Sequence, residues 1–126
     1  MGAEFMVGIT HENMAAFRRM SGDENPLHID PVFAREAGFK DNVVYGMLVA
    51  AYYSTLVGMY LPGRFALLHG VDVSFQKPVF LGESLTVRGE ITYLNEAFKQ
   101  MEIKASIINQ DNVIISKAKI KTGVRQ

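Results

Sequence analysis

The run Asn42-Val43-Val44-Tyr45-Gly46-Met47-Leu48-Val49-Ala50-Ala51-Tyr52-Tyr53-Ser54-Thr55-Leu56-Val57-Gly58-Met59-Tyr60 decides the fold. Val44, Leu48, Ala51, Tyr52, Thr55, Leu56 and Met59 recur at i, i+3, i+4 spacing, which predicts a helix over 42–60. Val43, Met47, Val49, Ala50, Tyr53 and Val57 make the opposite face apolar as well, and a helix apolar all round is expected to be buried all round. Spanning a bilayer takes about 20 apolar residues, so this is a core helix rather than a membrane span. Gly58 and Leu61-Pro62-Gly63 terminate it.

Downstream of Gly63 the period changes from helical to alternating. Val71, Val73 and Phe75 begin the pattern. It continues through Leu85, Val87, Gly89, Ile91 and Tyr93 over 84–95, and through Met101, Ile103, Ala105 and Ile107 over 98–109. After the turn Asn109-Gln110-Asp111-Asn112, residues 113–124 form the last strand. Consecutive strands joined by short turns predict an antiparallel meander. The expectation is one α+β domain over 6–126, an antiparallel β-sheet wrapped around a long central helix. One sheet cannot cover such a helix, which predicts a homodimer.

Upstream, Thr10 is placed to cap a helix carrying Met14, Phe17 and Met20, which stops at Ser21-Gly22. Residues 22–31 read as loop. Pro31–Ala37 reads as a short helix capped by Asp30. Met1-Gly2-Ala3-Glu4-Phe5, ahead of Met6, reads as a cloning remnant and is set aside from the fold.

The chain has 126 residues, 48% of them hydrophobic, enough for one domain with a real core. With 13 basic and 13 acidic residues there is no basic stripe for nucleic acid. Cysteine is absent, which excludes disulfides, thiolate metal sites and a cysteine nucleophile. With no signal-peptide pattern and no membrane-length run, a cytoplasmic location is expected. His11 and His69 fall in no motif, and histidines this scattered make a poor metal site.

The chemistry is expected in Ser21-Gly22-Asp23-Glu24-Asn25-Pro26-Leu27-His28-Ile29-Asp30. Asp23 and His28 bring a carboxylate and an imidazole together around a turn, and such a pair can hold and activate water. Asn25 is expected to fix the loop. Gly46, near the start of the buried helix, offers a backbone N–H at the positive end of the helix dipole.

These residues resemble the MaoC-like dehydratases, the hot-dog-fold group that includes (R)-specific enoyl-CoA hydratases. The resemblance rests on Phe17 followed by Ser21-Gly22-Asp23-Glu24-Asn25-Pro26-Leu27-His28, with Ala34 beyond. It rests also on Val43-Val44-Tyr45-Gly46-Met47-Leu48 with Ser54, and on Leu61-Pro62-Gly63 followed by Val73-Ser74-Phe75-Gln76-Lys77-Pro78-Val79. Many members carry His-Gly-Met-Leu at the second motif, so Tyr45 departs from the common form.

The resemblance implies a hot-dog fold whose loop-helix segment overhangs the central helix and carries the catalytic motif. It implies hydration of a trans-2-enoyl-CoA to an (R)-3-hydroxyacyl-CoA, or the reverse, without a cofactor. Asp23 and His28 would flank one water, the Gly46 N–H would bind the thioester oxygen, and Ser54 would lie near the pair. Tyr45, Met47 and Leu48 would border the acyl pocket. Rival expectations are a dehydratase on an acyl-carrier-protein or specialised thioester, a hot-dog thioesterase, or a non-catalytic acyl-CoA binder. Thioesterases of this fold place an acid on the central helix, and residues 44–59 contain no Asp or Glu.

Overall fold

The computed structural model describes residues 1–125. Strand β1 (Gly2–Gly8) leads into helix α1 (His11–Ser21), short helices α2 (Pro26–Ile29) and α3 (Pro31–Glu36), and the long helix α4 (Gly46–Met59). Strands β2 (Ala66–Phe75), β3 (Ser84–Asn95), β4 (Gln100–Ile108) and β5 (Ile114–Val124) follow. All five strands join one antiparallel sheet in the order β1-β3-β4-β5-β2.

Two expectations are corrected here. Residues 2–5, left out of the expected fold, form part of β1, with Phe5 opposite Val87 and Gly2 opposite Glu90. The meander holds only for β3-β4-β5. Because β1 occupies the free side of β3, β2 takes the open side of β5 instead, with Val71 opposite Ile120.

The core lies between α4 and one sheet face. Val49, Tyr53, Leu56 and Val57 of the helix meet a sheet layer built from Leu85, Val87, Ile103, Ile107, Ile115 and Ile120. Gly89 sets how closely α4 approaches, since a Cβ there would lie 2.7 Å from Leu56 Cδ2. Inside this apolar layer the Tyr53 hydroxyl donates to Ser116 Oγ at 2.9 Å, and Ser116 donates to the Ser74 carbonyl at 2.8 Å. This relay ties helix, β5 and β2 together, and among the described residues no buried side-chain polar atom is left without a partner.

Burial of α4 all round does not occur within one chain. Met47, Ala51, Ser54 and Met59 form an exposed stripe, with Met47 66% accessible. Beside it, edge strand β2 leaves Val71 and Phe75 41% and 47% exposed. Among the described residues no helix is long and apolar enough to cross a membrane.

Candidate active site

The site begins where α1 stops. Thr10 caps α1 through a capping box in which Asn13 does the work usual for Glu or Gln. At the other end Gly22 turns the chain out of the helix with φ 74°, a left-handed conformation that costs glycine little. The next residues are wound by their own side chains. Asp23 Oδ1 accepts from the Asn25 N–H at 3.0 Å, and Asn25 Oδ1 accepts from the Leu27 N–H at 2.9 Å. Asn25 thereby caps α2, with Pro26 in its first turn, and α2 carries His28. The 22–31 segment, expected to be loop, is therefore part helix, because four residues wind between two caps.

Asp30 ends α2 and caps α3, accepting from the Val32 and Phe33 N–H groups at 3.0 and 3.3 Å. It is a structural cap, in keeping with the sequence.

The overhanging segment is pinned to the extended stretch that enters α4. The Leu27 carbonyl accepts from the Val43 N–H at 3.2 Å and from Asn42 Nδ2 at 3.0 Å. His28 Nδ1 lies 2.7 Å from the Val43 carbonyl. A carbonyl only accepts, so Nδ1 carries a proton, and in the neutral imidazole it is Nε2 that keeps the lone pair. The Tyr45 hydroxyl donates to the Asp23 carbonyl at 2.8 Å. The Tyr45 ring stacks on His28, with centroids 4.2 Å apart, and packs on Phe17 at 4.7 Å.

Tyr45 is also the residue before α4, and among the described residues it gives that helix no side-chain cap. The N–H groups at Gly46 and just beyond therefore stand at a helix N-terminus without a carboxylate or hydroxyl to satisfy them. The fold thus brings together the Asp23–His28 segment and the uncapped start of α4. It does so through Tyr45, which joins the two in sequence and in space.

Other expected residues sit as follows. Leu48 is half-buried against the core, and Met47 is exposed. Tyr45, expected at the acyl pocket, is only 2% accessible, with its surface against Phe17, His28 and the loop backbone. Ser54 lies on the exposed stripe of α4, about 12 Å along the axis from Gly46 at the helical rise. Among the described residues it makes no hydrogen bond to the loop.

The sequence reading missed two features. One is the Val43 carbonyl, a backbone acceptor that no side-chain motif announces. The other is an ion pair from Arg18, in the last turn of α1, to Glu24 beside Asp23. Their hydrogen bond holds the Glu24 carboxyl below the usual carboxylate range and raises Arg18.

A broad concavity of about 1400 Å³ lies elsewhere, on the sheet's outer face. Its charged lining mixes Arg88, Lys104, Lys117 and Lys119 with Glu4, Asp72 and Glu90, and it includes neither Asp23 nor His28.

Comparison with known proteins gives a consistent picture. The family model described as "MaoC like domain" matches residues 2–113. The (R)-specific enoyl-CoA hydratase of Aeromonas caviae is 45% identical over 83 residues, 66% of this chain and 62% of that protein. The mitochondrial 3-hydroxyacyl-[acyl-carrier-protein] dehydratase of Arabidopsis thaliana is 33% identical over 95 residues, 75% of this chain and 56% of that protein. The matched stretches thus span less than two thirds of these curated relatives. A solved (R)-hydratase from A. caviae, described as involved in PHA biosynthesis, superimposes with a TM-score of 0.93 at 32% identity. That match covers 98% of this chain and 94% of that one.

Proposed function

The chain belongs to the MaoC-like domain family and has the hot-dog fold, and from that premise we propose that it hydrates a trans-2-enoyl-CoA to the (R)-3-hydroxyacyl-CoA, or runs the reverse dehydration. The observation that carries the proposal is the loop bearing Asp23 and His28, pinned beside the uncapped N-terminus of α4.

In this scheme Asp23 and His28 flank one water. Nδ1 of His28 is held by the Val43 carbonyl, so Nε2 is the nitrogen free to accept a proton. As the water oxygen bonds to C3, its proton passes to Nε2 and the C2=C3 electron pair moves toward the thioester. The charge that develops on the thioester oxygen is met by the Gly46 N–H at the positive end of α4. The imidazolium then returns its proton to C2, so that water is added with nothing left over. The Asp23 carboxylate accepts a hydrogen bond from the water's second O–H, which stays on the oxygen, and so orients the water. The reaction as written needs only water and the thioester, with no cofactor.

Asn25 acts by shaping the loop, through its cap on α2. The acyl chain is assigned to the apolar surface beside Gly46, bordered by Met47 and Leu48. A second copy of the chain, seated on the exposed stripe of α4 and the β2 edge, would wall that surface and bring Ser54 into the enclosed volume.

The test follows the loss of enoyl absorbance when a short trans-2-enoyl-CoA is added, with product chirality measured. Asp23→Asn and His28→Ala are each expected to lower kcat by about 10²–10⁴. Wild-type rates in both would remove the pair from the machinery. The Arabidopsis relative's name supports a second substrate form, and the same enoyl group on an acyl carrier protein tests it. A higher kcat/KM there would move the assignment from CoA to the carrier.

A further inference from the structure

We infer that Tyr45 is the positioning residue of the Asp23–His28 pair, a clamp that holds both arms of the loop with one side chain. The inference rests on the reading that this pair activates water. Its support is geometric. The Tyr45 hydroxyl donates to the Asp23 carbonyl at 2.8 Å. The same ring stacks on the His28 imidazole at 4.2 Å, with planes 28° apart. Phe17, from α1, packs on Tyr45 at 4.7 Å, so the clamp is braced by the helix that precedes the loop.

The backbone of Tyr45 runs directly into Gly46 and α4. One residue therefore fixes the spacing between the water-holding pair and the N–H assigned to the thioester oxygen. A reaction of this kind depends on such spacing, and a misplacement of about 1 Å can cost about 10² in rate.

A plain core filler would need the ring and not the hydroxyl. Phenylalanine would fill the same space and still stack on His28, but it has nothing to give the Asp23 carbonyl. Tyr45 is 2% accessible, and its hydroxyl is directed to the loop rather than to its own helix. Burial, with the nearby negative charge of Asp23 adding to it, pushes the hydroxyl's pKa up, so it stays a donor through the neutral and mildly alkaline range.

The test compares wild type, Tyr45→Phe and Tyr45→Leu, with Ile120→Val in β5 as a core variant remote from the loop. Two readouts are taken: kcat and KM for a short enoyl-CoA, and amide hydrogen exchange at Asn25 and Leu27. Tyr45→Phe is expected to lower kcat about tenfold with KM within about twofold, and Tyr45→Leu about a hundredfold. Exchange at the two loop amides is expected to speed up about tenfold in Tyr45→Phe while β4 amides keep their rate. Ile120→Val should lower Tm and leave kcat and loop exchange unchanged.

A Tyr45→Phe enzyme with wild-type kcat overturns the inference, and so does wild-type exchange at Asn25 and Leu27. If the wild type itself turns nothing over, the hydratase reading fails and exchange alone decides the clamp. Faster loop exchange in Tyr45→Phe then upholds it, and unchanged exchange rejects it.

Discussion

His28 has two ring nitrogens with unequal neighbours, and that inequality sets its role. Nδ1 is committed to the Val43 carbonyl at 2.7 Å, so in the proposed scheme Nε2 is the nitrogen left to act on the water. The sequence placed Asp23 and His28 in one turn but left their division of labour open, because the tautomer depends on a backbone oxygen 15 residues away. Tyr45 was legible as a departure from the family pattern but not as a clamp, since its partner is again a main-chain carbonyl. At Tyr53 the consequence is one of pH. Burial raises its hydroxyl pKa above the usual value of about 10. The neutral hydroxyl is thus favoured in the folded state, and its contribution is complete below about pH 10. It is lost as pH rises through the higher folded-state value. Thermal melts should show Tm falling above about pH 10, with a shallower alkaline limb in Tyr53→Phe. An identical limb in the variant would mean that Tyr53 carries none of the loss.

Strands β2, β3, β4 and β5 and the long helix were legible as elements because their side chains repeat with a clear period. Strand β1 was not. It is an edge strand with only Ala3, Phe5 and Val7 half-buried, and its pairing with β3 closes across some 80 residues of chain. Helix α2 escaped because four residues between two caps carry no period. What binds the elements together is testable through the buried relay. Ser116→Ala strands the Tyr53 hydroxyl and should cost about 1–3 kcal/mol in denaturant unfolding. Tyr53→Phe leaves Ser116 bonded to Ser74 and should cost only about 1 kcal/mol. The reverse order would mean that the relay is not satisfied as drawn. Gly89→Ala tests the approach of α4 to β3. A methyl 2.7 Å from Leu56 Cδ2 and 3.1 Å from Ile103 Cγ2 should destabilise by about 1–3 kcal/mol. A neutral result would show a looser contact between helix and sheet.

For the whole molecule, the exposed stripe of α4 and the apolar β2 edge lie side by side, and neither has cover among the described residues. A long apolar edge strand is a template for pairing, so a second copy is the expected occupant. Light scattering should give twice the chain mass. Val71→Asp, at a position 41% exposed in the single chain, should yield monomers with kcat/KM reduced about tenfold or more. Monomers with full activity would separate assembly from catalysis. The anchoring of the overhang has one more consequence, for how this protein tolerates sequence change. Its three principal anchor points are the main-chain oxygens of Asp23, Leu27 and Val43. Main-chain oxygens survive every substitution at their own positions. A saturation library read by activity should therefore find Val43 permissive to every residue but proline, which would lose the N–H given to the Leu27 carbonyl, and Asn42, His28 and Tyr45 intolerant. The positions that give hydrogen bonds to the overhang, rather than those that receive them, would hold the heritable information for its shape.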